Sequence, residues 1–429
     1  MTARGWRAAV LILSLAAFTG CSASAASNSN NSSATSGSVT TTTSIVITIP
    51  ALPTTPTSSS TTTSTSTTTT TTGPPIALDE NLKNDVGLIA SNVTLEELAN
   101  VNEFIKRTRS IWAGNTRSIA MSISHHGQFV ASWTVGTTHR GNPIDLTARF
   151  RIASMSKLLT SLAVMKLVEQ GLIQLDVPFV EQYHTDYTPN DSRFPLITVR
   201  HLLSHTSGLP GLRGSFFRAT QSDWHDVVEV AYDRDMLSPP EFQMFYSNAN
   251  FVLLGALVEQ VTGVPYEQAV HQLVLDPLGI VTAEMVDTEE QPEGDPDYLV
   301  TPGRLYMESL GPAGAWVMTA TDAAKLMVAY DPTVAPVVSA ETIAAMRTWN
   351  GIQSDVPDKY QYGLGLMLVT PGTIVGHTGT IESVRSFSLL LPNGYSVTVL
   401  SSSEKTVGNG TALIDYFRGQ IDWLSLLPS

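Results

Sequence analysis

Arg151-Ile152-Ala153-Ser154-Met155-Ser156-Lys157 runs directly into the apolar stretch Leu158-Leu159-Thr160-Ser161-Leu162-Ala163-Val164-Met165. Read as the opening turn of a helix, it puts Ser154 and Lys157 on one face with Cβ atoms about 5–6 Å apart. An amine can then meet a hydroxyl. A serine hydroxyl is a weak nucleophile at neutral pH and needs an adjacent base. A lysine serves as that base only when desolvation keeps it neutral. The apolar residues after Lys157 supply the desolvation. A second Ser-x-x-Lys match, Ser402-Ser403-Glu404-Lys405, ends a strand-like run among polar residues and has no apolar helix behind it.

Outward from this stretch, residues 76–429 are uniform in composition, carry no internal repeat and read as one domain. The N-terminal part is different. Arg4 and Arg7 precede the apolar run Ala8 to Phe18, which is too short to span a bilayer as a lone helix but suits a signal-peptide core. Residues 1–21 are therefore expected to direct export. They end in Phe18-Thr19-Gly20-Cys21, which resembles the lipobox of bacterial lipoproteins, so Cys21 is the expected lipidation site. Cys21 is also the only cysteine of the chain, which leaves it no disulfide partner and no thiolate metal site to join. Residues 22–75 turn to Ser, Thr, Asn and Pro, unbroken Ser/Thr from Ser58 to Thr72. With almost nothing to bury, they are expected to form a disordered tether to the outer face of the membrane.

The formal net charge of -14 argues against nucleic acid and against a polybasic hold on anionic lipid. Membrane association is then expected through the lipid. Asp287 to Asp297, broken by Pro292, Gly294 and Pro296, reads as a solvated acidic insertion rather than a calcium loop.

Hydropathy patterning places a helix from Thr94 to Arg109, with Thr94 as cap and Leu98, Val101 and Ile105 as the buried stripe. Ser118–Ser124 and Phe129–Thr134 read as strands joined by the turn His125-His126-Gly127-Gln128. Helical patterns follow at Asp223–Tyr232, Ala249–Val261 and Tyr266–Val274, and Thr198 can cap a short helix that leads to Ser204-His205-Thr206-Ser207-Gly208. Strand patterns return at Tyr362–Thr370, Gly372–His377, Val384–Leu391 and Tyr395–Ser402, with Pro392-Asn393-Gly394 as a hairpin turn, and Thr411–Leu424 reads as a last helix. The order predicts a mixed α/β (α+β) fold. One antiparallel sheet is built from both chain ends and flanked by helices, with a mostly helical lobe inserted between them.

Two further elements accompany Ser154 and Lys157: Tyr246-Ser247-Asn248 before the apolar segment Phe251–Val258, and His377-Thr378-Gly379-Thr380 after a strand pattern. Ordinary residue frequencies give about a tenth of one chance His-Thr-Gly in a chain of this length. In this order the set resembles the penicillin-recognising serine hydrolases. These comprise class C β-lactamases, related D-alanyl-D-alanine carboxypeptidases, and esterases of the same fold. Residues 197–210 and Gly311-Pro312-Ala313-Gly314-Ala315-Trp316-Val317-Met318-Thr319 also resemble segments of that family, and the similarity spans about Arg117 to Ser403.

The resemblance implies that Ser154 is the acylated nucleophile, Lys157 its base and Tyr246 a second proton-transfer group. It makes Asn248 a donor to the substrate amide and assigns His377, Thr378, Gly379 and Thr380 to substrate binding. The oxyanion hole would be the N–H groups of Ser154 and Thr380, each donor typically contributing about 2.7–4 kcal/mol. It implies neither cofactor nor metal, and Ser204–Gly208 is a structural turn rather than a metal site at His201 and His205. His377 departs from the lysine usual in class C β-lactamases. An imidazole near pKa 6.5 is a weaker, pH-dependent partner for a carboxylate unless another cation such as Arg385 reaches the site. The expectation is therefore a lipid-anchored, extracytoplasmic serine hydrolase of amides or esters. A peptidoglycan-derived D-alanyl peptide is its first substrate, and small esters and β-lactams come next. The alternative of another class is a surface binding module that keeps the fold without turnover.

Overall fold

The computed structural model describes residues 86–90, 93, 95–112, 116–211, 223–354, 361–370 and 373–403. All fall in the unit from Thr69 to Ser429. The expected signal peptide, Cys21, the tether, Thr94, Lys405 and the Thr411–Leu424 helix lie outside the described residues.

Alternation of apolar and small polar residues builds an eight-stranded antiparallel sheet. Its order is Val86–Ile89, Gln128–Gly136, Thr116–His125, Tyr395–Ser403, Val384–Leu390, Ile374–Ile381, Met367–Thr370 and Gln361–Tyr362. The two chain ends meet at its centre, where Val397 lies opposite Ile123 and Val399 opposite Met121. Met121, Ile123, Phe387, Val397 and Val399 face Val101, Phe104 and Ile105 of the Leu95–Trp112 helix. Ala120, Val375, Val384 and Leu400, offset by one residue, turn the other way into the larger core. The period of two thus gives each strand two buried faces.

The larger core is centred on the Ser156–Glu169 helix, whose residues are buried all round from Ser156 to Met165. A helix apolar on every side is a central one. Trp224–Tyr232 and Asn248–Thr262 surround it, and Phe150–Arg151, Trp316–Met318 and Glu284–Met285 form a separate three-stranded sheet beside it.

Several local expectations are corrected. Tyr362–Thr370 is two strands, because Gly363–Leu366 turns between Gln361–Tyr362 and Met367–Thr370. The helix at Tyr266 stops at Val270 and continues as a π turn, His271–Leu275. His377–Thr380 does not follow a strand but lies inside one, Ile374–Ile381. The first hairpin tightens to His126-Gly127, both at positive φ (45° and 77°), the conformation of a two-residue hairpin turn. The acidic segment is not freely solvated. Arg117 meets Asp297, Arg140 meets Glu293, and Arg149 meets the nearly buried Asp295.

Candidate active site

Ser154 sits in a 3-10 turn, Ala153–Met155, that feeds straight into the Ser156–Glu169 helix, so the serine stands just before the regular helix rather than in its first turn. Ala153 takes φ 49°, a left-handed conformation costly for a residue with a Cβ. The turn is held from several sides. Ile152 N donates to Trp316 O at 3.0 Å, and Ser386 Oγ donates to Ile152 O at 2.7 Å. Arg151, 1% exposed, spreads its guanidinium over Tyr298 and donates to the carbonyl oxygens of Thr288 (2.6 Å) and Glu290 (3.1 Å) and to the Tyr306 hydroxyl.

Lys157 is fully buried. Its Nζ lies 3.2 Å from Ser154 Oγ, 2.8 Å from Asn248 Oδ1 and 2.7 Å from Ala313 O. Its ammonium is also 5.1 Å from the ring centre of Tyr246 and 5.5 Å from that of Phe251. Burial drives its pKa well below the usual lysine range. The three hydrogen-bond contacts define what happens when the amine loses a proton. The oxygens of Asn248 and Ala313 can only accept, so they retain the two remaining N–H groups. The lone pair is left facing Ser154, the one neighbour of the three with a proton to give.

Asn248 is the first residue of its helix, after Ser247 at the N-cap. Its side-chain oxygen accepts from the lysine.

The third element reaches the site along the strand Ile374–Ile381. The ladder with Met367–Thr370 ends at Gly376, while the ladder with Val384–Leu390 continues to Ile381. Thr380 is exposed and Thr378 half-buried along that stretch. A Cβ on Gly379 would stand 2.2 Å from Ile152 O and 2.1 Å from Ser386 Oγ, so glycine lets the strand approach the serine turn.

His377, expected beside the substrate carboxylate, is buried and hydrogen-bonded at both ring nitrogens. It is 1% exposed, and its Nδ1 lies 2.6 Å from Thr378 O, an oxygen that can only accept. Nδ1 therefore carries the proton, and Nε2 accepts from the Tyr362 hydroxyl at 2.9 Å. Burial and then the nearby Lys157 push its pKa down to about 3, so it is neutral at pH 7. Arg385 does not replace it. Its Nη1 donates to the carbonyl oxygens of Glu382 and Val384 at 2.9 and 2.6 Å, and it lies opposite Thr380, three residues along from His377 and so on the other face of the sheet.

Sequence reasoning missed three participants. Ala313 O holds the lysine, yet Gly311–Trp316 was legible only as a family-like segment, since a backbone acceptor leaves no mark of residue type. Tyr362 engages His377, and His205 lies against Tyr246 at 4.2 Å between ring centres. Nothing in the spacing of either residue signals these contacts.

Comparison with known proteins agrees with this geometry. The family model described as Beta-lactamase matches residues 100–416, and the chain belongs to that family. Curated relatives include Esterase EstB of Burkholderia gladioli, 31% identical over 185 residues (39% of this chain, 47% of the relative). Penicillin-binding protein 4* of Bacillus subtilis is 29% identical over 164 residues, which are 35% of this chain and 34% of the relative. The chain thus spans about half or less of the length of these two relatives. Among solved structures, the octameric penicillin-binding protein homologue from Pyrococcus abyssi superposes with TM-score 0.63 at 26% identity, covering 76% of this chain and 77% of that one. The D-stereospecific amidohydrolase from Streptomyces shares the fold, with TM-score 0.60 at 24% identity over 72% of this chain and 95% of its own. The fold is that of the β-lactamase family.

Proposed function

We propose that this enzyme hydrolyses esters or amides through an acyl-enzyme on Ser154. The observation that carries the proposal is the set of neighbours around Lys157 Nζ: two pure acceptors, Asn248 Oδ1 and Ala313 O, and one hydroxyl, Ser154. The neutral amine takes the Ser154 proton as Oγ bonds to the substrate carbonyl carbon. The oxyanion is held by the N–H groups of Ser154 and Thr380. As the carbonyl–leaving group bond breaks, the proton passes from Lys157 to the departing oxygen or nitrogen by way of Tyr246. Water then attacks the ester, and the same groups return Ser154 to its hydroxyl form.

The leading substrate is an acyl ester or amide whose leaving group bears no carboxylate, because His377 is neutral with both ring nitrogens engaged. A D-alanyl peptide, favoured by the sequence, stands second and is supported by the accessible Thr378 and Thr380 on the strand edge. The proposal includes export and lipid anchoring at Cys21, supported by Arg4, Arg7 and the apolar run Ala8–Phe18.

A fluorophosphonate probe is expected to label the wild type and not Ser154→Ala, and equal labelling of the two removes Ser154 as nucleophile. Turnover of a short-chain ester, a D-alanyl peptide and nitrocefin by one preparation ranks the substrates. For the anchor, Cys21→Ser is expected to move the protein from the membrane fraction to the soluble one.

A further inference from the structure

His205 follows the short helix Val199–Leu203 and takes φ 59° with its side chain fully buried. Its carbonyl oxygen accepts from Phe245 N at 2.9 Å. Its ring Nδ1 accepts from Ser247 N at 3.2 Å and lies 3.0 Å from Asn250 Nδ2. Asn250 is fixed in turn, because its Oδ1 accepts from Ser207 Oγ at 2.7 Å. One histidine therefore grips the chain on both sides of Tyr246, at Phe245 and at Ser247, and again one turn into the helix. Its ring also covers Tyr246, 4.2 Å between centres at 37°, and meets Tyr362 at 4.7 Å.

We infer that His205 is a positioning residue that fixes the Tyr246 ring beneath the Lys157 amine. Backbone contacts at Phe245 and Ser247 hold the main chain of Tyr246, and the imidazole packs against its ring. With Nδ1 accepting, the ring proton sits on Nε2, which makes no hydrogen bond among the described residues. Such an arrangement is costly for a residue that only packs. Burial, and after it the neighbouring Lys157, holds this imidazole well below the usual histidine range and so preserves the Nδ1 acceptor at neutral pH. The inference rests on Ser154 as nucleophile and on Tyr246 as its proton-transfer group.

The test compares His205→Asn and His205→Gly with the wild type, each also carrying Tyr246→Phe. Asparagine tolerates the left-handed backbone and keeps an acceptor near the place of Nδ1, whereas glycine keeps the backbone and loses both acceptor and ring. Wild-type labelling by a fluorophosphonate is scored first, and its absence overturns the Ser154 reading together with the inference. Given labelling, kcat on a short-chain ester is expected to fall about 10-fold in His205→Asn and about 100-fold in His205→Gly, within the range of lost proton-transfer groups. KM is expected to stay within about twofold, and no further loss is expected in the Tyr246→Phe background. A kcat unchanged by both substitutions, or the same loss repeated in the Tyr246→Phe background, overturns positioning of Tyr246 alone. Should His205→Gly not fold by thermal melting, the His205→Asn pair decides by the same criterion.

Discussion

Asn248 Oδ1 accepts a hydrogen bond from Lys157 Nζ at 2.8 Å, so the middle motif of the site is tied to the base and not only to what enters the cleft. The neutral oxygen orients the amine without adding charge. A carboxylate there would favour the ammonium and raise its pKa by about 1–3 units. Acylation needs the amine, so its rate rises as pH passes upward through the lysine pKa. Asn248→Asp is therefore expected to move that rising limb to higher pH by about 1–3 units, which slows labelling about 10-fold or more at pH values on the limb itself. Stopped-time fluorophosphonate labelling between pH 5 and 10 measures it, and a limb that stays in place refutes the assignment of Lys157 as base.

Gly379 predicts a different failure. An added methyl would lie 2.2 Å from the Ile152 carbonyl and 2.1 Å from Ser386 Oγ, pushing the strand away from the serine turn. Gly379→Ala is expected to cost about 1–3 kcal/mol, the usual range for overpacking, and to reduce acylation more than stability alone explains. Gly294 is the matched control, because a Cβ there meets nothing within 4 Å. Urea unfolding and labelling of both variants decide it. Equal behaviour means the strand is not spaced by this glycine.

The large sheet was legible because its strands alternate in hydropathy, and the nucleophile helix because an apolar run follows Lys157 at once. The small sheet was not. Phe150–Arg151 and Glu284–Met285 are two residues each, and Trp316–Met318 is three, too short to carry a period. In the site, Ser154, Lys157, Tyr246 and Asn248 were found by spacing and come together. The state of His377 was not legible, because its tautomer and charge depend on Tyr362 and the Thr378 carbonyl, contacts set by strand packing. The acidic segment was misjudged because the arginines that bind it, Arg117, Arg140 and Arg149, are more than a hundred residues away from their partners.

Arg151 links that segment to the Ser154 turn. Removing its guanidinium strands the buried carbonyl oxygen of Thr288 and the part-buried one of Glu290. Arg151→Met keeps much of the stem and is expected to destabilise by about 1–3 kcal/mol for each group left unsatisfied. Limited proteolysis is expected to cut first within residues 287–298 in the variant. A wild-type cleavage pattern with unchanged urea midpoint shows that the segment is held by its surface ion pairs instead.

His377 gives the pH dependence of stability a definite sign. Its imidazole is neutral in the fold down to about pH 3, whereas in the unfolded chain it titrates near 6.5. Between those values the unfolded state binds the extra proton, so stability falls as the medium is acidified. The contribution is fully present above about pH 6.5 and is lost progressively as pH falls through about 3. His377→Gln keeps polar groups for Tyr362 and the Thr378 carbonyl but cannot titrate. Its urea midpoint at pH 7 is expected to lie below that of the wild type, and the gap is expected to narrow steadily from pH 7 to pH 4. A constant gap over that interval shows that His377 titrates in the fold as it does in the unfolded chain, and so would carry charge beside Thr378 below about pH 6.5.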